Sequence, residues 1–327
     1  ETTRGKFTRA IVLRTLDDLP AQRVESSPGE VLVRLHYSSL NYKDALSATG
    51  NKGVTRRYPH VPGIDSAGVV QHSSASGFAP GDKVIVHGYE LGANHDGGFS
   101  EYVRVPKDWV VPLPKNLSLR ESMVYGTAGF TAALSVYKLL HHGVRPEMGP
   151  ALVIGATGGV GCVACAMLAR LGFHVVAATG KSDAKPWLMN LGVKEIVERE
   201  AILDPTNKPL LAGKWACVVD TVGGPMLESA IRATKFEGAV ACCGNIGSAE
   251  LHTSIYPFIL RGVALIGINS AFTPMPLRLS VWNKMANEWK LDSLEQLVAD
   301  EVSFEELEPH IQKILNGGIR GRVLVKL

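Results

Sequence analysis

The hydrophobic pattern of the chain changes character near residue 124. Up to that point apolar and polar residues alternate in short runs, such as "EVLVRLHYSSL" at residues 30–40, and Gly and Pro separate the runs. This alternation is typical of strands with one buried face. The spacing of the next two runs, "VPGIDSAGVVQH" and "PGDKVIVHG", suits a partly open β-barrel. We therefore predict a β-rich first unit.

The second part of the chain alternates between strand and helix patterns. It begins with "ESMVYGTAGFTAALSVYKLLHHG", whose apolar spacing predicts a helix that ends at Gly143. Strands are predicted at "ALVIGA", "HVVAATG", "EIVERE", "WACVVDTVGG", "AVACCGN" and "VALIGINS", and helices at "GGVGCVACAMLARLG", "DAKPWLMNLG" and "PMLESAIRATKFEG". Such a series predicts a parallel sheet covered on both faces. The tail, "SFEELEPHIQKILNGGIRGRVLVKL", predicts a helix and a strand that returns to the first unit.

The chain has 327 residues, of which 46% are hydrophobic, which is enough for a sizeable core, and a chain of this length usually divides into two domains. The series of strands and helices predicts the α/β class. A net charge of +3 without a Lys/Arg run gives no reason to expect nucleic acid as a partner. The apolar runs are too short to cross a membrane. We expect a cytoplasmic protein, although an organelle stays possible because the chain begins at Glu1 rather than at Met.

The five cysteines all lie in apolar segments, which favours reduced thiols. Cys162 and Cys165 form a C-x-x-C pair, but one turn of a predicted helix separates them. We interpret them as small core residues, and a redox or metal role is the alternative.

A glycine-rich stretch, "VIGATGGVG", joins a predicted strand to a predicted helix. Gly155, Gly158 and Gly161 let the chain turn tightly and let backbone N–H groups approach a pyrophosphate at the start of the helix. A glycine turn without a ligand is the alternative. Because a β/α series follows, we predict a dinucleotide site.

The end of the next strand indicates which dinucleotide binds. An NAD enzyme usually carries Asp or Glu there for the ribose 2′-hydroxyl, but this chain has Thr179, Gly180, Lys181 and Ser182. Hydroxyls and a cation suit a 2′-phosphate, and Arg199 after the following strand is a second candidate partner. We therefore predict NADPH, although Lys181 alone is also consistent with a solvated loop.

Four different polar groups stand in a row within "SSLNYKDALSATG", where small and apolar residues flank them. Asn41, Tyr42, Lys43 and Asp44 would each need a buried partner if the stretch entered a core. The pattern leaves two interpretations open, a turn that faces water and the floor of a reaction site.

The whole chain resembles the medium-chain dehydrogenase/reductase superfamily in its zinc-free, quinone oxidoreductase-like branch. The motifs that carry this resemblance occur in the expected order and are "SSLNYKDAL", "VPGIDSAGVV", "PGDKVIV", "GGFSEYVRVP", "GTAGFTAAL", "GATGGVG", "VVDTVGG" and "GGIRGRVLVKL". The combination of "LNYKDALSATG", "YPHVPGIDSAG" and "PFILRGVALIGINS" is similar to the YhdH/AcuI subgroup of acrylyl-CoA reductases.

The resemblance implies a GroES-like, partly open β-barrel catalytic domain at residues 1–123 and 271–327. It implies a Rossmann domain, with a doubly wound parallel sheet, at residues 124–270. It also implies a homodimer, because relatives join their last sheet strands, and an apolar edge strand needs a cover.

Zinc alcohol dehydrogenases belong to the same superfamily, so the resemblance also bears on metal. Their Cys, His and Glu positions correspond here to Asn41, Ile64 and Asp65. Asn and Ile are not usable zinc ligands, and no cysteine precedes Cys162 to form a structural zinc lobe. We therefore expect no metal site.

The resemblance places the "NYKD" stretch beside the nicotinamide. We expect Asn41, Tyr42 and Asp44 to be catalytic: the Asn41 amide binds the thioester oxygen or the carboxamide, Tyr42 contacts the cofactor and delivers a proton, and Asp44 fixes its neighbours or relays a proton. Asp44 as the cap of a helix that starts near Ala45 is the alternative for that residue. Lys43 is most simply a solvated side chain, and it would be a candidate for proton relay if it were buried beside Asp44.

The expected cofactor-binding set spans both halves of the chain. It comprises Tyr42, Gly155, Thr157, Gly158, Gly159, Val160, Gly161, Thr179, Gly180, Lys181, Arg199, Asn245, Ile246, Asn269, Ser270 and Asn316. Arg322 and His95 are weaker candidates for the site.

Three functions remain in competition. The first is NADPH-dependent reduction of the C=C bond of acrylyl-CoA to propanoyl-CoA. The second is an NADPH quinone or enone reductase on the same scaffold, and the third is NADPH binding without catalysis. A basic loop with Lys52, Arg56, Arg57 and His60 suits the phosphates of CoA, but a solvated loop explains it equally simply.

Overall fold

Two sheets form the framework of the protein. The structure is a computed structural model, and it describes residues 10, 12–13, 28–206, 208–292 and 294–327. The first sheet draws its strands from the two ends of the described chain and the second sheet draws its strands from the middle.

The first sheet has seven strands among the described residues. They are β1 (Glu30–Leu40), β2 (Asp65–Ser73), β3 (Lys83–His87), β4 (Tyr102–Pro106), β5 (Val110–Pro112), β12 (Val298–Val302) and β13 (Arg322–Lys326). Their order is β12-β13-β1-β2-β3-β5, with β4 on the first half of β1. The long strand β1 therefore pairs with three neighbours, and its last residues lie between β13 and β2.

The second sheet is parallel throughout. Its strands are β6 (Ala151–Ile154), β7 (Val175–Ala178), β8 (Glu195–Val197), β9 (Trp215–Asp220), β10 (Thr234–Cys242) and β11 (Ala264–Gly267). Their order is β11-β10-β9-β6-β7-β8, so the chain winds outward in both directions from β6. Ligands bind at the carboxyl ends of such sheets, in the crevice where the winding direction changes. Here that crevice lies between β6 and β9.

Eight α-helices connect and cover the sheets in the described part of the chain. They are α1 (Tyr42–Ala48), α2 (Leu119–His141), α3 (Gly159–Arg170), α4 (Lys185–Asn190), α5 (Gly224–Arg232), α6 (Tyr256–Arg261), α7 (Met275–Ala286) and α8 (Leu307–Leu315). None of these helices combines the length and the apolar character that a membrane crossing requires.

Helix α2 joins the two sheets into one core. It packs against strands of both sheets and against α3, and its apolar residues Phe130, Leu134 and Leu139 belong to the largest buried cluster. The helix bends at Gly126, where φ is +52° and ψ is −158°. The bend lies beside Ser39 of β1 and Asp65 of β2.

The predicted fold class is confirmed, and most predicted elements lie where the pattern placed them. The helix predicted at "PMLESAIRATKFEG" is shorter than expected, because α5 ends at Arg232 and β10 already begins at Thr234. The pattern did not predict α6, α7 or β12. The division at residues 123 and 271 stays a prediction, and most of its first 27 residues lie outside the described part.

Candidate active site

A cavity of about 240 Å³ opens between the two sheets. Side chains from both parts of the chain line it, among them Lys43, Tyr89, Thr127 and Ser270. Lys43 comes from α1 and Thr127 follows the bend of α2, so both polar groups reach the cavity from helix starts. Asn269 and Ser270, which the sequence predicts as cofactor ligands after the last strand of the second sheet, also line it.

The "NYKD" stretch forms the start of α1 rather than a turn. Asn41 is the residue before the helix, and the Asp44 carboxylate accepts its backbone N–H at 2.8 Å. The other Asp44 oxygen accepts the N–H groups of Gly63 and Ile64 at 3.2 and 2.8 Å. Asp44 is fully buried. It therefore fastens the start of α1 to the loop before β2, and the helix begins at Tyr42 instead of near Ala45.

The Asn41 amide lies inside a set of buried polar groups. Its nitrogen donates to Asp65 Oδ2 at 2.8 Å and to the Ser39 carbonyl at 3.2 Å, and it lies 3.2 Å from the Asp44 carboxylate. Asp65 Oδ1 in turn accepts both the backbone N–H and the hydroxyl of Thr127, at 2.8 and 2.6 Å. Both carboxylates thus accept several hydrogen bonds, as buried charges require.

Arg322 completes this set from the first position of β13. Its guanidinium donates to Asn41 Oδ1 at 3.1 Å and to Ser39 Oγ at 2.8 Å, and it lies 3.7 Å from Asp65. Only 2% of Arg322 is exposed, and burial lowers its pKa, while Asp65 acts in the opposite direction. We call Ser39, Asn41, Asp44, Asp65, Thr127 and Arg322 the buried polar network.

The network holds two carboxylates and one guanidinium. Burial and the neighbouring Asp65 carboxylate raise the pKa of Asp44 to about 7, although the hydrogen bonds from Asn41 and Ile64 act to lower it. The charge of Asp44 therefore changes near neutral pH, which is the range in which a group can exchange protons during a reaction.

The glycine-rich loop forms a cradle that only glycine permits. Gly155 has φ of +77°, and a Cβ there would lie 2.2 Å from Thr221 Oγ1. A Cβ on Gly161 would lie 2.2 Å from the Gly155 carbonyl, and one on Gly159 would lie 2.8 Å from Arg322 Nη1. The loop opens at the N-terminus of the 12-residue helix α3. This backbone fits a pyrophosphate, which the free N–H groups of a helix start attract.

Cationic side chains lie close together at the tip of β7, where the ribose of a dinucleotide would lie. The Lys181 ammonium donates to the Ile319 carbonyl at 2.7 Å, and its backbone N–H donates to Thr179 Oγ1 at 3.1 Å. The Arg199 side chain passes over Gly180, with Nε 3.1 Å from the place of a Cβ. Burial lowers the pKa of Lys181, and the charges of Arg199 and Arg320 lower it further, against Asp183.

The remaining predicted site residues are not among those that line the cavity. Tyr42 is half-buried, and its hydroxyl has no hydrogen-bond partner among the described residues. Asn245 and Ile246 are exposed in the loop after β10, which pairs with the loop after β9. Asn316 is exposed at the end of α8, and the half-buried Val160 lies in the first turn of α3. Their roles stay predictions.

The sequence pattern does not indicate Tyr89 or Thr127 as site residues, and it favours a solvated Lys43, whereas all three line the cavity. Tyr89 follows the predicted strand "PGDKVIVHG", so its position after a strand end was a signal. Its backbone φ is +52°, which is unusual for a residue other than glycine. Its ring stacks on that of Trp109, with 5.3 Å between the ring centres, and the Arg278 guanidinium lies 4.6 Å from the Tyr89 ring centre. Nothing in the local pattern around Thr127 indicates its bond to Asp65, which is 62 residues away.

Comparison with known proteins identifies the family. A model of the alcohol dehydrogenase GroES-like domain matches residues 27–115, and a model of the zinc-binding dehydrogenases matches residues 159–287. The putative quinone oxidoreductase YhfP of Bacillus subtilis is 49% identical over 91% of this chain and 90% of its own length. This chain belongs to the medium-chain dehydrogenase/reductase superfamily. The acrylyl-CoA reductase AcuI of Ruegeria pomeroyi is 43% identical over 98% of this chain and 95% of its own length.

Solved structures of this superfamily show the same fold with either nicotinamide cofactor. The structure of B. subtilis YhfP with NAD bound has a TM-score of 0.91 at 47% identity and covers 96% of this chain and 93% of its own. The structure of the YhdH oxidoreductase of Salmonella enterica in complex with NADP has a TM-score of 0.92 at 38% identity. The match covers 100% of this chain and 98% of the YhdH chain.

The superfamily includes zinc enzymes, but the residues at the corresponding positions do not fit a zinc ion. Asn41 and Ile64 offer no ligand of the kind that zinc prefers, and the Arg322 cation lies beside Asp65. The described residues contain no group of three His, Cys, Asp or Glu side chains that could hold a metal. We derive no reaction step through a metal.

The C-x-x-C pair lies inside the core of the second sheet. Cys162 and Cys165 are fully buried in α3, and burial raises the pKa of Cys162 to about 12 and that of Cys165 well above its usual value. Thiols in such surroundings are unreactive. The geometry supports their interpretation as core residues.

Gly126→Ala tests the dependence of the network on the bend in α2. A Cβ there would lie 2.4 Å from Asp65 Oδ2 and 2.7 Å from Ser39 Oγ, at a φ of +52°. We expect the free energy of unfolding to fall by about 2–4 kcal/mol and turnover to fall with it. Urea unfolding and steady-state kinetics measure both.

Gly143→Ala is the matched control, since Gly143 also has a positive φ, of +108°, but no atom lies within 4 Å of the place of a Cβ. It should cost about 1 kcal/mol of stability and leave turnover unchanged. Equal losses of turnover in the two variants would contradict the collision with the network.

Proposed function

We propose that this protein reduces the C=C bond of acrylyl-CoA to propanoyl-CoA with NADPH. The observation that carries the proposal is the buried polar network, in which Asn41 and Asp65, at positions that correspond to zinc ligands in the zinc enzymes, bind each other and Arg322. A site without a Lewis acid suits reduction of an activated alkene better than oxidation of an alcohol. The similarity to AcuI, an acrylyl-CoA reductase, supports the choice of substrate.

The chemistry requires a hydride donor, a site for negative charge and a proton. NADPH, when bound, supplies the hydride to the β-carbon of the enoyl thioester. Negative charge then develops on the thioester oxygen, and the Lys43 ammonium in the cavity wall stabilises it. The half-buried Tyr42 hydroxyl, which has no partner of its own among the described residues, delivers the proton to the α-carbon.

Asn41 and Asp44 have a different part in this proposal from the one expected from sequence. The Asn41 amide group is already engaged with Asp65, Ser39 and Arg322, and Asp44 is fully buried. We propose that both hold the start of α1 in place, so that Tyr42 and Lys43 keep their positions.

The cofactor is proposed to be NADPH because of the tip of β7. The Lys181 ammonium and the Arg199 guanidinium lie at the expected place of the ribose, and no carboxylate occupies positions 179–182. Cations suit a 2′-phosphate, which a carboxylate would repel. YhdH of S. enterica was solved with NADP and YhfP with NAD, so relatives alone do not decide the choice.

Quinone or enone reduction is the second candidate, because YhfP is named a putative quinone oxidoreductase. The same site geometry serves both substrates. The basic loop offers a distinction: Lys52, Arg56 and Arg57 come just after α1, and we propose that they meet the phosphates of CoA. A quinone has no phosphate and would gain nothing from them.

We also propose that the protein forms a homodimer through β11. This strand ends the second sheet, and its outer edge has no partner strand within the described residues. The exposed apolar side chains of Ile259, Leu260 and Leu265 surround it. Such an edge favours pairing with a second copy.

A substrate comparison tests the function directly. With NADPH saturating, kcat/KM for acrylyl-CoA should exceed that for a simple quinone by about 100-fold or more, since the CoA portion contributes binding energy that a quinone lacks. Steady-state kinetics with both substrates measure the ratio. Equal or better turnover of the quinone would reject the acrylyl-CoA proposal in favour of the second candidate.

Lys181→Ala tests the cofactor. Loss of a charged hydrogen bond to the 2′-phosphate should raise the Kd for NADPH by about 10–100-fold and that for NADH by less than about threefold. Fluorescence titration measures both constants. Lys185→Ala is the control, because Lys185 is nearby but pairs with Glu198 at 3.4 Å. A parallel loss of both affinities in Lys181→Ala would argue against the 2′-phosphate.

Tyr42→Phe tests the proton donor. We expect kcat to fall by about 100-fold, as for loss of a general acid, while the Kd for NADPH changes little. Tyr102→Phe, in which the tyrosine lies 39% exposed on β4, should leave kcat unchanged. If kcat is unchanged in Tyr42→Phe, a group other than Tyr42 donates the proton to the α-carbon.

A further inference from the structure

Four consecutive residues, Ile319–Arg322, connect the cation cluster at the tip of β7 to the buried polar network. We propose that this segment, which we call the tail clasp, transmits binding of the cofactor 2′-phosphate to the position of Arg322. Arg320 is then a positioning residue that makes NADPH a better reductant than NADH in kcat as well as in affinity. This inference rests on the proposed use of NADPH.

The first half of the tail clasp touches the nucleotide side of the cleft. The Ile319 carbonyl accepts the Lys181 ammonium at 2.7 Å. Arg320 lies 3.4 Å from the Asp183 carboxylate and stacks 5.7 Å from the ring centre of Trp187. Asp183 and Trp187 thus hold the Arg320 guanidinium beside Lys181 from two sides.

The middle of the tail clasp is attached to the glycine-rich loop. The Gly321 N–H donates to the Thr157 carbonyl at 3.0 Å. Gly321 has φ of +82°, and a Cβ on it would lie 2.3 Å from the Leu297 carbonyl. The hydrogen bond to Thr157 ties this backbone to the glycine-rich loop, and Gly321 is the one residue through which a displacement of Arg320 reaches Arg322.

The last residue of the tail clasp is Arg322. Its guanidinium binds Asn41 and Ser39, and Nη1 would lie 2.8 Å from a Cβ on Gly159. A single residue, Gly321, therefore separates the residue beside the proposed phosphate from the residue that organises the network.

The charges around the tip of β7 favour a phosphate as the coupling ligand. Lys181, Arg199 and Arg320 lie close enough that the two arginines lower the pKa of the lysine. Asp183 is the carboxylate that faces them, and the Arg199 guanidinium makes no hydrogen bond or ion pair with the described residues. A 2′-phosphate supplies the missing negative charge, whereas the 2′-hydroxyl of NADH leaves the cations to repel one another.

Amide hydrogen exchange tests the coupling without turnover. We would compare the peptide that covers residues 316–322 in enzyme saturated with NADPH and in enzyme saturated with NADH. NADPH should slow exchange of this peptide by fivefold or more relative to NADH. In Arg320→Ala the two cofactors should give equal exchange, and Arg320→Lys, which keeps the charge, should retain most of the difference.

Kinetics provide the second readout. The ratio of kcat with NADPH to kcat with NADH should be fivefold or more in the unaltered enzyme and should approach one in Arg320→Ala, with the Kd for NADH unchanged. Arg170→Ala is the control, since this arginine pairs with Asp292 at 2.8 Å away from the cleft. It should keep both the exchange difference and the kcat ratio.

The outcomes separate this inference from the cofactor proposal. If NADPH binds far more tightly than NADH but exchange and kcat are equal for the two, NADPH remains the cofactor and the coupling through the tail clasp is overturned. If the two cofactors bind equally, the cofactor proposal fails and this inference fails with it.

Discussion

The contact of Asp65 with Asn41 and Arg322 is the interaction on which the site depends. Asp65 begins β2, Arg322 begins β13, and Asn41 follows the end of β1, so three neighbouring strand ends of one sheet meet at one carboxylate. Thr127 adds the bend of α2 to the same carboxylate. The positions of the two sheets relative to each other are therefore set at the place where the reaction is proposed.

A buried network of this kind exchanges one catalytic strategy for another. A metal polarises an oxygen by itself, whereas amides, carboxylates and a guanidinium act through fixed geometry. Two carboxylates share one buried cation here, and the burial of Asp44 is compensated by N–H groups from Asn41 and the loop at Ile64. Every member has several partners, so the loss of one affects the others.

The sequence predicted the architecture well because the architecture rests on local patterns. Alternation predicted β1, and a glycine loop between strand and helix predicted the cofactor cradle. The short strand β12 and the six-residue helix α6 were missed, because short elements of mixed composition owe their form to neighbours in space. The end of α5 was misplaced, since "ATKFEG" contains no helix stop before Gly238 and the pairing of Thr234 with Trp215 decides the outcome.

The candidate site was predictable in location but not in its contacts. The motif at Asn41 pointed to the correct end of β1, whereas the partners of that motif come from residues 63–65 and 322. Such contacts join positions up to 281 residues apart, and no local periodicity records them. The contact between Tyr89 and Arg278 is a second example of a contact that the sequence did not predict. An arginine in an apolar helix is normally expected to be exposed, whereas Arg278 is buried.

Arg278 limits how the cavity can change in evolution or in the laboratory. This arginine is fully buried, and none of its hydrogen bonds goes to a carboxylate of the described residues. Its guanidinium donates to the carbonyls of Ser270 and Ala271 and lies over the face of Tyr89, whereas its Nε has no hydrogen-bond partner among the described residues. A smaller residue at position 89 would widen the pocket for a bulkier acyl group but would also uncover an unneutralised cation. The size of the substrate pocket and the electrostatics of the core are therefore coupled. A change of specificity at Tyr89 requires a second substitution at Arg278.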